Sequence, residues 1–274
     1  MAAAARKMGL CSEIIGIDKS PENLRAAHEN GVIDRGYDSI AQIEGALDLL
    51  VLSTPVGTME TLFAQLKPTW SESTIYTDTG STKENVILAA QSVFGQVPKN
   101  FVPGHPIAGS ERSGVLAANA DLYRNKRVIL TPLEETDPAA LDKVERLWQQ
   151  IGARVSLMEP QHHDDILAET SHLPHVIAFS LVDLLGRKDE QDEILQYAAG
   201  GFKDFTRLAS SDPRMWLDIC LANRKRITVL LEEFREELAL IKQILDDNDA
   251  DTLFDLFCSA KQARQRFLEQ YELD

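Results

Sequence analysis

The chain is expected to fold as α/β, a doubly wound and mostly parallel sheet followed by an all-helical domain. Three observations carry that expectation. Up to about residue 158, short continuous apolar runs alternate with helical patterns, as parallel strands covered on both faces require. From Glu159 onward the strand pattern vanishes and helical periodicity runs almost to the end. The 274 residues, 44% of them hydrophobic, are enough for two ordinary domains with sizeable cores. The expected division is 1–158 and 159–274.

The opening "MAAAARKMGLCSEIIGIDKS" reads as the end of a helix, a turn at Gly9 and a buried strand ending on Asp18. That is the second half of a βαβ nucleotide-binding unit, whose first strand and glycine-rich turn would precede Met1. Strands are expected at 12–18, 47–55, 74–78, 100–104, 127–132 and 153–158. Ser20 with Pro21, and Asp137 with Pro138, read as N-cap and first-turn pairs, and Gly31 as a helix stop. Residues 162–185 read as one long helix kinked at Pro174. Asp212 and Pro213 cap another very long one, on which Ile227, Leu231, Phe234, Leu238, Ile241 and Leu245 recur at alternating steps of four and three. Such a strict a/d seam needs a facing helix, either the last helix of the chain (about 250–271) or a second copy in a homodimer.

With 28 basic against 43 acidic residues, net −15, the field repels phosphate backbones and anionic lipid, so neither nucleic acid nor a membrane is an expected partner. An anionic small molecule would need a local cationic pocket. Cys11, Cys220 and Cys258 lack paired spacing and read as small hydrophobes in a reducing compartment. The first residues are too short and polar for a secretory segment, and no stretch is apolar enough to span a bilayer, which points to the cytoplasm.

Chemistry concentrates at the strand exits, where open α/β sheets bind ligands. Asp18 can accept hydrogen bonds from an adenosine ribose diol and repel a 2′-phosphate, favouring NAD over NADP; its alternative role is to cap the next helix with Ser20. The exits "STPVG" (53–57), "DTGSTK" (78–83) and "PGHPIAGSERSG" (103–114) cluster at one edge, and Ser53, Thr54 and Pro55 are cofactor-side candidates. His105, between Gly104 and Pro106, is suited to take a hydroxyl proton at neutral pH. In "SHLPH", Ser171 and His175 share a helix face with His172 turned away, a substrate site rather than a metal site because HExxH and neighbouring cysteines are missing. His162 and His163 read as solvated surface. In "GGFKDFTRLASSDPRMWLDI", Arg207 and Trp216 offer a guanidinium fork and an aromatic wall, with Arg207 either an anion hook or half of an internal salt bridge.

Six stretches in order, "EIIGIDKSPENL", "DLLVLSTPV", "DTGSTK", "GHPIAGSERSGV", "HDDILAETSHLPHVIAFSL" and "GGFKDFTRLASSDPRMWLDI", resemble the prephenate dehydrogenase family, which includes cyclohexadienyl and arogenate dehydrogenases. The resemblance implies a Rossmann-type NAD-binding domain, here lacking its first strand and GxGxxG turn, then an all-α domain that forms a homodimer. It implies oxidative decarboxylation of prephenate or arogenate in tyrosine biosynthesis. By the same resemblance, His105 matches the group that polarises the substrate hydroxyl, and Ser81 the serine that bonds both. Arg207 matches the carboxylate hook, His175 a histidine near the substrate side chain, Glu111 an acid gating the pocket, and Trp216 an aromatic wall, with Ser171 a weaker match on the same helix face. Two other classes remain open at this point: an inert fragment that dimerises without cofactor, and another two-domain β-hydroxyacid or imine reductase. A catalytic lysine on the long helix would favour the second; that helix offers "SHLPH" instead.

Overall fold

Helix α1 (Ala2–Lys7) turns at Gly9, whose φ of +67° suits a residue without a side chain, and leads into strand β1 (Ile15–Ile17). The computed structural model describes residues 1–109 and 114–273 and divides into two units, Met1–Arg224 and Lys225–Asp274. Helix α2 (Pro21–Glu29) starts as the sequence implies: Ser20 Oγ accepts from the backbone N–H of Asn23, with proline at the first helical position. Strand β2 (Arg35–Tyr37) pairs parallel with β1; three polar-flanked residues carry too little apolar signal to be anticipated.

Strand β3 (Leu49–Leu52), helix α3 (Met59–Leu66), strand β4 (Ile75–Asp78), helix α4 (Glu84–Phe94) and strand β5 (Phe101–Val102) follow. β3, β4 and β5 form a parallel sheet in that order, with Leu52 opposite Asp78. Pro103, which lacks an N–H, ends β5, and β6 (Gly104–Pro106) changes partner to β7 (Arg127–Leu130). No crossover α-helix lies between them among the described residues, so β6 and β7 run antiparallel, a departure from the parallel expectation. Helix α5 (Pro138–Gln150), capped by Asp137 as expected, then returns the chain to β8 (Arg154–Leu157), parallel to β7.

Successive side chains of a strand point to opposite faces. Tyr76 and Phe101 accordingly enter one core with Phe63, Leu66, Val86 and Ala90, while Ile75 and Val102 enter another with Ala4, Val144 and Trp148. Helices therefore cover both faces, which is the doubly wound arrangement.

The helical part begins with α6 (Pro160–Leu167), passes through a π-helical turn at Ala168–His172, and continues as α7 (Leu173–Gly186). The expected proline kink is thus a π turn just before Pro174; a widened turn makes room for the proline ring and for the upstream carbonyl that proline cannot serve, and it shifts the helix register. Helices α8 (Gln191–Gln196), α9 (Gly200–Thr206) and α10 (Pro213–Ala222) follow, then α11 (Arg224–Asp246) and α12 (Ala250–Leu273). The very long helix expected from Asp212 onward is in fact α10 and α11, separated at Asn223. Among the described residues no helix is long and apolar enough to cross a membrane.

Candidate active site

Two carboxylates organise the polar interior. Asp78, at the end of β4, is fully buried; its Oδ2 accepts from Gly80 N–H (2.8 Å) and its Oδ1 from Gly104 N–H (3.0 Å). Lys83, equally buried, makes a short ion pair with Asp78 and donates to the Gly104 carbonyl (2.7 Å). Burial pulls the Lys83 ammonium below its usual value, with the charge of Asp78 opposing. These bonds tie the β4–α4 loop, which carries Ser81, to the strand that carries His105. Gly104 is required between them, because an added Cβ would sit 3.0 Å from Leu130 Cδ2 and 3.2 Å from the Asp78 backbone oxygen.

Asp164, in the first turns of α6, reaches back to the start of α4: Oδ1 accepts from Lys83 N–H (2.8 Å) and Oδ2 from Glu84 N–H (3.0 Å). It serves as a cap from a distant segment, on N–H groups that would otherwise lack a partner. Burial alone would raise its carboxyl, but His163 and these backbone donors outweigh burial and hold it below the ordinary value.

His163 Nδ1 lies 2.8 Å from Asp164 Oδ1, and His163 Nε2 lies 2.9 Å from His105 Nδ1. His163 is 0% exposed, which corrects the surface reading: the first turn of α6 faces the β4–α4 loop and not solvent. His105 is 9% exposed. Burial first, then His163, Lys83 and His172, push its imidazole well below its usual value, so it is neutral at neutral pH.

His172, expected to turn away, is buried at 1% exposure because the π turn rotates it inward. Its Nδ1 accepts from the Asn223 side-chain amide (3.2 Å), which also donates to the Asp164 carbonyl (2.8 Å). Asn223 is the residue at which helix α10 ends. Burial lowers the His172 pKa to about 4, against the pull of Asp164. His172 and Trp216 are in edge-to-face ring contact with centroids 6.1 Å apart, and the Ser81 backbone adds to the pull of Asp164 on the His172 ring.

His175 stacks on Trp216 at 3.7 Å and 18°, and its Nδ1 donates to the Ser171 carbonyl (2.8 Å), as the shared face of these two residues implied. Burial and the nearby Arg207 charge lower its pKa, with Ser171 opposing. Arg207, at the end of α9, is exposed, and Ser171 is half-buried. His105, His163, His172, His175, Trp216 and Arg207 thus belong to one neighbourhood joined by ring contacts, hydrogen bonds and charge. Glu111 lies outside the described residues.

At the other exits, Asp18 accepts from Ser20 N–H (2.8 Å) and from the Asn23 side chain (3.2 Å), while remaining partly open to solvent. Ser53, Thr54 and Pro55 follow β3 and are exposed; Thr58 Oγ1 donates to Thr54 Oγ1 (3.1 Å). Sequence reasoning assigned no role to Asp78, Lys83, His163 or Asp164. The available signals were a lysine and an acid bracketing a strand-exit loop, and a His-Asp pair in a helix's first turns.

Residues 1–157 match the family described as prephenate dehydrogenase, nucleotide-binding domain, and residues 159–259 match prephenate dehydrogenase, dimerization domain. A cyclohexadienyl dehydrogenase of Zymomonas mobilis is 37% identical over 234 residues, covering 84% of this chain and 79% of that protein. A prephenate dehydrogenase of Bacillus subtilis is 37% identical over 266 residues, covering 96% of this chain and 71% of that one. Among solved structures, prephenate dehydrogenase from A. aeolicus in complex with hydroxyphenyl propionate and NAD+ superposes with a TM-score of 0.90 at 38% identity, covering 97% of this chain and 93% of that one.

Proposed function

The chain belongs to the prephenate dehydrogenase family, and on that premise we propose that it oxidatively decarboxylates prephenate with NAD as hydride acceptor. The observation that carries this reading is the buried, neutral His105 in the middle of β6, just beyond the end of β5, its Nδ1 engaged by His163. The strand exits also fit NAD. A partly open carboxylate at the end of β1, Asp18, suits a ribose diol and repels a 2′-phosphate, and Ser53, Thr54 and Pro55 are exposed at the end of β3. When bound, NAD supplies the two-electron acceptor for the hydride.

The protein's residues then have separate tasks. Ser81 orients the substrate hydroxyl. His105 takes the hydroxyl proton as hydride leaves the same carbon, so that a carbonyl forms there in place of a carbocation. The ring carboxylate departs as carbon dioxide; its bonding electrons make the ring aromatic and return to the oxygen, which recovers the proton from His105. Arg207 holds a substrate carboxylate through charge-assisted hydrogen bonds, and the His175–Trp216 stack walls the ring, with Ser171 on the same face. The two domains run 1–158 and 159–274, and the second makes a homodimer. Supporting the dimer, Leu238 and Leu245 of the a/d seam are 51% and 58% exposed in the single chain.

Incubation with prephenate and NAD, followed by NADH absorbance, tests the reading. NADH and carbon dioxide are expected in equal amounts, with kcat lowered about 10²-fold or more in His105→Asn. No NADH from the intact chain overturns the function, and an unchanged kcat in the variant removes His105 from it.

A further inference from the structure

A carboxylate can only accept hydrogen bonds, and this settles the protons along a buried chain of three side chains. Asp164 Oδ1 is 2.8 Å from His163 Nδ1, so the proton between them sits on His163 Nδ1. A neutral imidazole carries one N–H, which leaves His163 Nε2 as an acceptor. His163 Nε2 is 2.9 Å from His105 Nδ1, so His105 Nδ1 must be the donor there. His105 Nε2 is then without a proton and able to receive one. From this geometry we infer that Asp164 and His163 are positioning residues that fix His105 as its Nδ1–H tautomer, the form whose Nε2 can take the substrate's hydroxyl proton.

The arrangement is anchored at both ends. Asp164 cannot rotate away without giving up the backbone N–H groups of Lys83 and Glu84, and its own carbonyl is held by Asn223. His163 is 0% exposed, so no water competes for either ring nitrogen. When His105 gains a proton at Nε2, its positive charge rests against His163 and, beyond it, the Asp164 carboxylate. Among the described residues, the other charged or titratable groups around His105 are Lys83 on the β4–α4 loop and His172 on the π turn, which disfavour the imidazolium, and the carboxylate of Asp78, which accepts from the neighbouring Gly104 N–H. Burial, Lys83 and His172 thus keep the ring neutral before reaction, and the Asp164 carboxylate beyond His163 provides a counter-charge during it.

The inference rests on the proposed role of His105, but its test does not depend on activity. Nitrogen-15 NMR of the histidine side chains in the intact chain at neutral pH, with His105→Asn used to assign the signal, is expected to show a protonated Nδ1 and a bare Nε2 at His105. An Nε2–H form in the wild type overturns the inference directly. His163→Phe keeps the ring volume and removes the acceptor, so His105 is expected to switch to the Nε2–H form that imidazole prefers in water. In that variant kcat should fall about 10²-fold, with KM for prephenate changed less than about 2-fold. His163→Gln, whose amide oxygen can still accept, should retain Nδ1–H and a kcat between the two. An unchanged tautomer and kcat in His163→Phe would refute the positioning role. If the phenylalanine variant does not fold, the wild-type spectrum and the glutamine variant decide. Should His105→Asn keep full turnover, the catalytic role of His105 fails while the tautomer result stands on its own.

Discussion

Acidification should unfold this protein partly through His172, and the size of the effect follows from its surroundings. The ring is 1% exposed and its pKa is lowered to about 4, mainly by burial, against 6.5 for an unburied histidine. The unfolded chain therefore takes up a proton between pH 6.5 and 4 that the folded chain refuses. Because the folded value is depressed, the linked stability is fully present above pH 6.5 and is lost as pH falls through about 4. That depression corresponds to about 3 kcal/mol in total, of which roughly 2 kcal/mol is gone by pH 5. His172→Phe removes the proton uptake and also the bond from Asn223, whose loss is a constant offset of about 1 kcal/mol at every pH. Urea unfolding of both proteins at pH 7 and pH 5 separates the two effects, since offset and slope are independent. Wild type should lose roughly 2 kcal/mol more than the variant over this interval. Parallel losses in the two proteins would refute the reasoning and show that His172 is protonated in the fold.

Lys83→Met leaves Asp78 buried with only its two backbone donors, and breaking such a pair costs about 3–5 kcal/mol. Calorimetry should show Tm lowered by about 10 °C, and a drop below about 3 °C would mean that Asp78 is well satisfied without the lysine. Arg207→Met should raise KM for prephenate about 10-fold to 100-fold while changing kcat less, as expected for the loss of a charged hydrogen bond that binds. Sedimentation of a Leu238→Glu, Leu245→Glu double variant should show a weakened dimer; an unaffected dimer would place the interface away from this seam.

Much of the fold was legible in order along the chain. All six expected strands occur within a few residues of their apolar runs; the signal is cleanest for β4 and β5, which are buried on both faces and have no polar alternation to obscure it. The N-caps at Ser20, Asp137 and Asp212 were equally readable, since they act on backbone groups two or three residues away. The departures had non-local causes. β6 runs antiparallel because of its tertiary partner, α10 ends where Asn223 donates to Asp164 and His172, and the π turn moves His172 from outside to inside. For Asp18 the structure shows the local bonds to Ser20 and Asn23 that the capping alternative describes, with the carboxylate still partly open to solvent.

The sequence by itself determined the kind of chemistry. Six motifs in family order carry that information without reference to how the chain folds, and His105, Ser81 and Arg207 lie within them. Only the tertiary structure decided which side chains govern that histidine. His163 and Asp164 sit in a polar first helical turn next to His162, which is exposed, and nothing in their spacing distinguishes them from surface. Packing that turn against the β4–α4 loop removes water from around them and turns a carboxylate more than fifty residues from His105 into the group that sets its proton.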